Sequence, residues 1–163
     1  MRYFLRVAVA LSWGIWFGGL LSMFLFITGL FNSLKAEGLR PVFDQIAPHQ
    51  FMMSQRFELV FGMLALIMTF GLRLLDRRPA VTWFFGVLAL AAIVAIVKSA
   101  VLTPRMVQLI VPGMEPSAEF KRLHGLSMLA GCIEAVLLLI AGAALPAVFN
   151  PSGDRRISES AAR

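Results

Sequence analysis

Glu58 belongs to a row of polar and small residues set among apolar ones at helical spacing. The row contains Gln55, Glu58, Gly62, Ala65 and Thr69, which follow one another at steps of three and four residues. Because a helix turns by about 100° per residue, residues at these steps share one face. A polar face of this kind in an apolar segment could bind or pass a proton or a metal cation.

A second row of the same kind surrounds Glu134. It contains His124, Ser127, Gly131, Glu134 and Ala135. A charge at the centre of a membrane helix costs about 2.5–3.5 kcal/mol on insertion scales, so neither row is expected to face lipid. We therefore expect the two rows to turn toward one another inside the protein.

Lys98 is the third element of this candidate polar stripe. It lies near the end of another apolar segment, and its long stem could reach the membrane interface or bend toward Glu134. Glu134 lies roughly 16 Å along its helix from Leu123, close to the membrane midplane, at 1.5 Å per residue. Glu58 and His124 are expected near the outer boundary. Glu134 and His124 are the candidate ligands or proton carriers. The alternative is a protonated Glu134 that only stabilises the bundle.

Other chemistry-bearing residues are sparse. His49 precedes Met52 and Met53, and thioethers suit a soft metal such as Cu(I), so His49 and His124 are weak metal candidates. Cys132 is the only cysteine, which excludes an intramolecular disulfide and a thiolate cluster. The sequence holds no phosphate-binding glycine loop and no HExxH motif. The pattern favours a non-enzymatic protein and implies no particular cofactor.

The composition identifies the elements that must position these residues. Hydrophobic residues make up 59% of the chain and charged residues 15%, too few to cover the surface of a soluble domain. About 20 apolar residues cross a hydrocarbon core of about 30 Å. We predict an all-α bundle of four transmembrane helices in residues 1–149, at about 5–33, 51–75, 80–102 and 118–146. The segment before residue 51 is expected to be a polar loop, and 150–163 a disordered tail.

The basic residues predict the environment and the orientation. The net charge is +6, but the basic residues cluster beside apolar runs, which favours lipid headgroups over nucleic acid. Eight basic residues lie on the side of the termini and seven on the other side. Arg73, Arg77 and Arg78, at the tight second connection, belong to the eight. We predict a multi-pass membrane protein with both termini cytoplasmic.

The first apolar segment carries a ridge of small residues, Ala10, Gly14, Gly18 and Ser22, each four residues from the next. Helices in lipid approach one another through such residues, so the ridge is expected to pack against another helix. It could also join two copies of the chain or bind a membrane partner. A structural or interaction protein is therefore one alternative to ion binding, and a haem- or quinone-linked redox subunit is another.

Three motifs resemble the transmembrane protein 205-like family. They are Trp13-Gly14, the stretch Leu102 to Arg105 (L-T-P-R), and the stretch Phe120 to Ser127 (F-K-R-L-H-G-L-S). The resemblance covers about residues 7–145 and implies a place in the bacterial branch of short four-helix membrane proteins, with no assigned reaction. It therefore also implies the bacterial inner membrane as the location. The family pattern would have Asn where this chain has Gly131, and Glu134, one turn later, is the candidate replacement.

Overall fold

The computed structural model describes residues 2–110 and 116–149. Four helices in these ranges are long and apolar enough to cross a membrane: α1 (Arg2–Ala36), α2 (Arg40–Leu75), α3 (Pro79–Gln108) and α4 (Ala118–Phe149). The described residues contain no strand, so the prediction of an all-α four-helix membrane bundle is confirmed. The tail predicted to be disordered, 150–163, lies outside the described residues.

The outward faces of the helices are apolar. Leu25, Val60, Ile93 and Leu139, one on each helix, are among the most exposed side chains. A water-soluble bundle would place polar residues at these positions, because exposed apolar surface is costly in water. The exposed surface therefore fits the lipid bilayer, and the chain is a multi-pass membrane protein.

Helix α2 begins earlier than the sequence predicted. Its first residue is Arg40, whereas the prediction treated the chain up to residue 50 as a loop because it holds charges and two prolines. Pro41 lies in the first turn of α2, where its missing N–H costs nothing. Pro48 lies inside the helix and is tolerated there at the loss of one backbone hydrogen bond. The connection from α1 is instead a tight turn through Gly38, whose φ is 73°, a conformation that glycine adopts readily.

Helix α3 continues past its predicted end and changes its winding. Residues Lys98–Leu102 form a π-helical turn, in which the Thr103 N–H donates to the Lys98 carbonyl. The next residue, Pro104, has no N–H, and its ring would clash with the carbonyl four residues earlier in a regular α-helix. The wider turn accommodates the proline, and the helix runs on to Gln108. Such single π-turns often occur at functional sites.

The four helices form a square in cross-section. The main contacts among the described residues join α1 to α2, α2 to α3, α3 to α4 and α4 to α1. Helices α2 and α4 therefore occupy opposite corners, and a group that contacts both must lie in the middle of the bundle.

The small-residue ridge of α1 is only partly buried inside the chain. A Cβ atom added at Gly14 or Gly18 would meet no atom of another helix within 4 Å, and Ser22 is exposed. Ala10 is half-buried. The close approaches within the bundle are made by other glycines: Gly19 against Phe57, Gly62 against Trp16, and Gly142 against Trp13. The difference arises because these approaches are set by aromatic rings, which spacing of small residues alone does not reveal.

An Asp76 cluster, formed by Arg6, Asp76 and Arg78, closes one end of the bundle. Asp76 accepts hydrogen bonds from Arg78 Nε at 2.8 Å and from Arg6 Nη2 at 3.1 Å. The same arginines donate to the last carbonyls of α4: Arg78 to Val148 at 2.8 Å and Arg6 to Phe149 at 3.2 Å. These carbonyls have no partner within their own helix, so the arginines supply the missing donors.

Candidate functional site

Three charged side chains meet in the centre of the bundle and form what we term the central triad: Glu58, Lys98 and Glu134. Lys98 Nζ lies 2.6 Å from Glu58 Oε2 and 2.8 Å from Glu134 Oε2. The exposed fraction is 4% for Glu58, 4% for Lys98 and 0% for Glu134. Two carboxylates on opposite corners of the bundle thus share one ammonium group that is shielded from solvent and lipid.

Each carboxylate of the triad has one further hydrogen-bond donor. Trp16 Nε1 donates to Glu134 Oε1 at 3.0 Å, and Ser54 Oγ donates to Glu58 Oε1 at 3.3 Å. The two carboxylates are therefore held by partners on α1 and α2, besides Lys98 on α3. A buried charge is tolerated only when it is paired and hydrogen-bonded in this manner.

The helices place the triad near the middle of their lengths. Glu58 is roughly 27 Å along α2 from Arg40, and Glu134 is roughly 24 Å along α4 from Ala118, at 1.5 Å per residue. Because α2 begins at Arg40 and not near residue 51, Glu58 lies deeper than the boundary position expected for it. Its depth matches that of Glu134, and this allows one lysine to contact both.

The π-helical turn begins at Lys98 itself. The Lys98 side chain is buried at the point where the backbone of α3 departs from regular winding. Thr103, the residue that closes this turn, is also buried, and its Oγ1 has no hydrogen-bond partner. The π-helical turn that accommodates Pro104 therefore also affects where the Lys98 side chain lies.

The remaining residues of the predicted stripe lie around the triad or apart from it. Gln55 is buried one turn before Glu58, and its Oε1 has no hydrogen-bond partner. Ser127 is half-buried on α4. His124, about 15 Å along α4 from Glu134 at 1.5 Å per residue, makes no contact with the triad. The structure therefore brings three residues of the predicted polar stripe, Glu58, Lys98 and Glu134, into one site and leaves Gln55, His124 and Ser127 outside it.

The sequence pattern does not identify two residues of the site, Trp16 and Ser54. Trp16 is buried on α1, and a buried indole N–H normally finds an acceptor, which could have connected it to a buried carboxylate. Ser54 precedes Glu58 by four residues, a spacing at which helical side chains touch.

The metal candidates are not gathered into a site. His49 is exposed, and the part of the chain that the structure describes contains no group of three or more His, Cys, Asp or Glu residues able to hold a metal. Within the triad, Lys98 Nζ already occupies the position between the two carboxylates where a cation would bind.

A second feature, the end cleft, opens at the end of the bundle away from the Asp76 cluster. It has a volume of about 440 Å³ and lies between the last part of α1, the first turns of α2, the end of α3 and the start of α4. His124 borders it, stacked on Phe120 with ring centroids 5.7 Å apart. His124 Nδ1 and Asp44 Oδ2, which also borders the cleft, are buried and have no hydrogen-bond partner within the described part of the chain. The cleft is a concave and mainly apolar site with few polar groups, as small-molecule sites usually are.

Comparison of the chain with protein-family models, with curated proteins and with solved structures found no match in any of the three.

Proposed function

We propose that this protein binds protons within the membrane and passes them through the central triad. The observation that carries the proposal is the sharing of one buried ammonium group by two buried carboxylates. Membrane proteins rarely place ionisable residues between their helices unless they serve an ion or proton pathway.

The charge balance of the triad supports a proton as the species bound. With Glu58, Lys98 and Glu134 all ionised, the triad carries one net negative charge. A net charge buried between apolar helices is costly, because neither water nor lipid headgroups solvate it. A single proton on either carboxyl group makes the triad neutral, so the site is suited to hold one proton.

The geometry also suggests how the proton moves. When Glu58 holds the proton, Lys98 pairs with the ionised Glu134; when Glu134 holds it, Lys98 pairs with Glu58. The two states have the same charge and differ in which carboxyl group holds the proton. Lys98 Nζ lies 2.6 Å from Glu58 and 2.8 Å from Glu134, so it can donate a proton to the ionised carboxylate and take one from the protonated carboxyl group. Proton transfer between opposite corners of the bundle therefore never requires an unpaired lysine.

A metal cation has less support than a proton. The void beside the triad, which Trp16, Glu58 and Gly62 border, has a volume of about 10 Å³. A single water molecule needs at least about 10–15 Å³ measured in this way, so a hydrated cation is larger than the space present.

Proton flux into liposomes tests the proposal. The purified full-length chain is reconstituted with a pH-sensitive dye inside the vesicles, and a potassium diffusion potential drives proton entry. We expect flux with the wild type and a loss of at least about tenfold in Glu58→Gln and Glu134→Gln, since each removes a proton-carrying group worth 10²–10⁴-fold in comparable proton transfers.

Glu119→Gln provides the matched control, because Glu119 is an exposed carboxylate on the same helix as Glu134. It should leave the flux unchanged. Circular dichroism and gel filtration in detergent check that each variant is folded. Wild-type flux in a folded Glu134→Gln protein would refute the proposal.

A second candidate function is assembly through the ridge of α1. Its support is the open space at Gly14 and Gly18, which leaves a backbone surface available to another helix. Cross-linking in native membranes tests it: Gly18→Leu should abolish cross-linked species while expression persists. Gly86→Leu, at an equally open glycine on α3, is the control.

We also propose that the chain belongs to the transmembrane protein 205-like family and lies in the bacterial inner membrane. We further propose that the Asp76 cluster is on the cytoplasmic side of that membrane. The start of α1 and the end of α4 lie together, joined by the bond from Arg6 to the Phe149 carbonyl. Arg73, Arg77 and Arg78 belong to the same end, which the positive-inside rule places in the cytoplasm. Labelling of cysteines introduced at Arg77 and Glu37 by an impermeant reagent tests the orientation: only the second should react in intact cells.

A further inference from the structure

The end cleft has the size and the walls of a ligand site. Its volume of about 440 Å³ falls within the range of about 300–1,000 Å³ that small-molecule pockets occupy. Its walls are mainly apolar and rich in aromatic rings. The phenylalanines that border it are Phe24, Phe31, Phe43, Phe51 and Phe120.

Two polar atoms in the cleft have no partner of their own. Asp44 Oδ2 and His124 Nδ1 are both buried and make no hydrogen bond with residues 2–110 or 116–149. A buried polar atom without a partner destabilises the folded protein, and buried polar atoms are therefore almost always hydrogen-bonded to protein groups, water or a ligand. A carboxylate oxygen only accepts hydrogen bonds, and its partner must therefore be a donor such as a hydroxyl group.

Asp44 and His124 lie in the part of the cleft near the end of the bundle, and mainly apolar residues border its deeper part. Asp44 and His124 lie roughly 6 Å and 9 Å from the starts of α2 and α4, at 1.5 Å per residue. Met128, which also borders the cleft, lies roughly 15 Å from the start of α4 on the same scale. A ligand that fits has a polar head near the mouth and an apolar tail directed toward the middle of the bundle.

The aromatic groups near the mouth favour a flat ring as the head. The imidazole of His124 is parallel to the Phe120 ring within 9°, which fixes its plane. Phe31 and Phe43 meet edge to face with centroids 5.0 Å apart, and both border the cleft. Aromatic pairs in offset-stacked and edge-to-face arrangements stabilise beyond the apolar area that they bury, so a flat ring can add contacts of this kind here.

We propose that the end cleft binds an amphiphile with a hydroxylated aromatic head, of the phenol or quinol class, and an apolar tail. One hydroxyl of the head donates to Asp44 Oδ2, and His124 Nδ1 forms the second hydrogen bond to the head. The rings of the wall stack on it, and the tail lies along the deeper apolar surface. This binding is separate from the central triad and does not depend on proton transfer there.

Equilibrium binding to the full-length chain in nanodiscs of zwitterionic lipid tests the proposal. The probe is a decyl-substituted benzoquinol kept reduced under argon. Decylbenzene, which has the ring without hydroxyls, and decanol, which has a hydroxyl without the ring, are the comparison ligands. We expect the quinol to bind at least about tenfold more tightly than either comparison ligand, because a hydrogen bond to a charged group contributes an affinity difference of about this size.

The variants locate the binding. Asp44→Asn keeps the shape of the side chain, and Asp44→Asn and His124→Ala should each weaken quinol binding about tenfold. Glu37→Gln, at an exposed carboxylate, and His49→Ala, at an exposed histidine, should leave it unchanged, as should Glu134→Gln in the triad. Equal affinity for the quinol and decanol, full binding in both cleft variants, or no quinol binding at all would overturn the proposal.

Discussion

Glu58 and Glu134 stand on helices at opposite corners of the bundle, yet each places a carboxylate oxygen against the same atom, Lys98 Nζ, at 2.6 Å and 2.8 Å. The two helices that carry them are joined through α1 and α3 and not through direct packing. The lysine therefore links three helices electrostatically, and the hydrogen bond from Trp16 to Glu134 adds the fourth.

Removal of the lysine should destabilise the protein severely. Lys98→Met leaves two buried carboxylates facing each other without a cation, and breaking a buried ion pair in this way costs about 3–5 kcal/mol. The free energy of unfolding, measured by titration of the detergent-solubilised protein with sodium dodecyl sulfate, should fall by that amount. Lys121→Met, at an exposed lysine, should change it little.

The same substitution should be rescued when the carboxylates are neutralised. Lys98→Met combined with Glu58→Gln and Glu134→Gln removes every charge of the triad, and apolar or neutral replacements of a whole buried ionic group are often tolerated. Most of the lost free energy of unfolding should return. A triple variant as unstable as Lys98→Met alone would mean that lysine packing, and not charge pairing, holds the helices.

The Asp76 cluster should make the end of the bundle sensitive to acid. The hydrogen bonds from Arg78, with those from Arg6, outweigh the effect of burial and lower the pKa of Asp76 from 3.8 to about 2. Because the pKa is lower in the folded protein, the stabilisation is complete above pH 4 and is lost as the pH falls toward 2. The difference corresponds to about 2 kcal/mol at neutral pH.

Asp76→Asn should therefore lower the free energy of unfolding by about 2 kcal/mol at neutral pH and by much less at pH 2. Thermal unfolding in detergent at a series of pH values measures this difference. Glu37→Gln, at an exposed carboxylate, is the control. An equal loss at pH 2 and pH 7 would show that Asp76 does not act through its charge.

Substitution of a bundle glycine by alanine should either lower the free energy of unfolding or leave it nearly unchanged, depending on what lies next to the glycine. In Gly142→Ala the new methyl group would collide with the Trp13 ring, which cannot move freely because Trp13 Nε1 donates to the Leu138 carbonyl at 2.8 Å. We expect a loss of about 1–3 kcal/mol in the free energy of unfolding. Gly14→Ala enters open space and should be neutral or gain up to about 1 kcal/mol, since alanine favours a helix more than glycine does. A stable Gly142→Ala protein would contradict this packing.

The sequence predicted the four spans and the inward direction of Glu58 and Glu134 because a charge in an apolar helix has few other places to go. It did not predict the meeting of both with Lys98. That contact depends on the early start of α2, which Pro41 favours, and on the π-turn before Pro104, whereas the sequence pattern places both prolines in loops. Each of these prolines is compatible with two local conformations. Tertiary packing decides between the two, and the spacing of residues in the sequence carries no information about that packing.

The sharing of one proton by the triad is the central claim, and infrared spectroscopy tests it most directly. The full-length protein, with its glutamates labelled with ¹³C at the side-chain carboxyl, is reconstituted in lipid at neutral pH, and the carbonyl-stretch band of protonated carboxylic acid is recorded. The wild type should show a band from one protonated glutamate, which Glu58→Gln and Glu134→Gln each abolish and which Glu119→Gln leaves intact. A wild-type protein without this band, or a band that persists in both triad variants, would contradict the account.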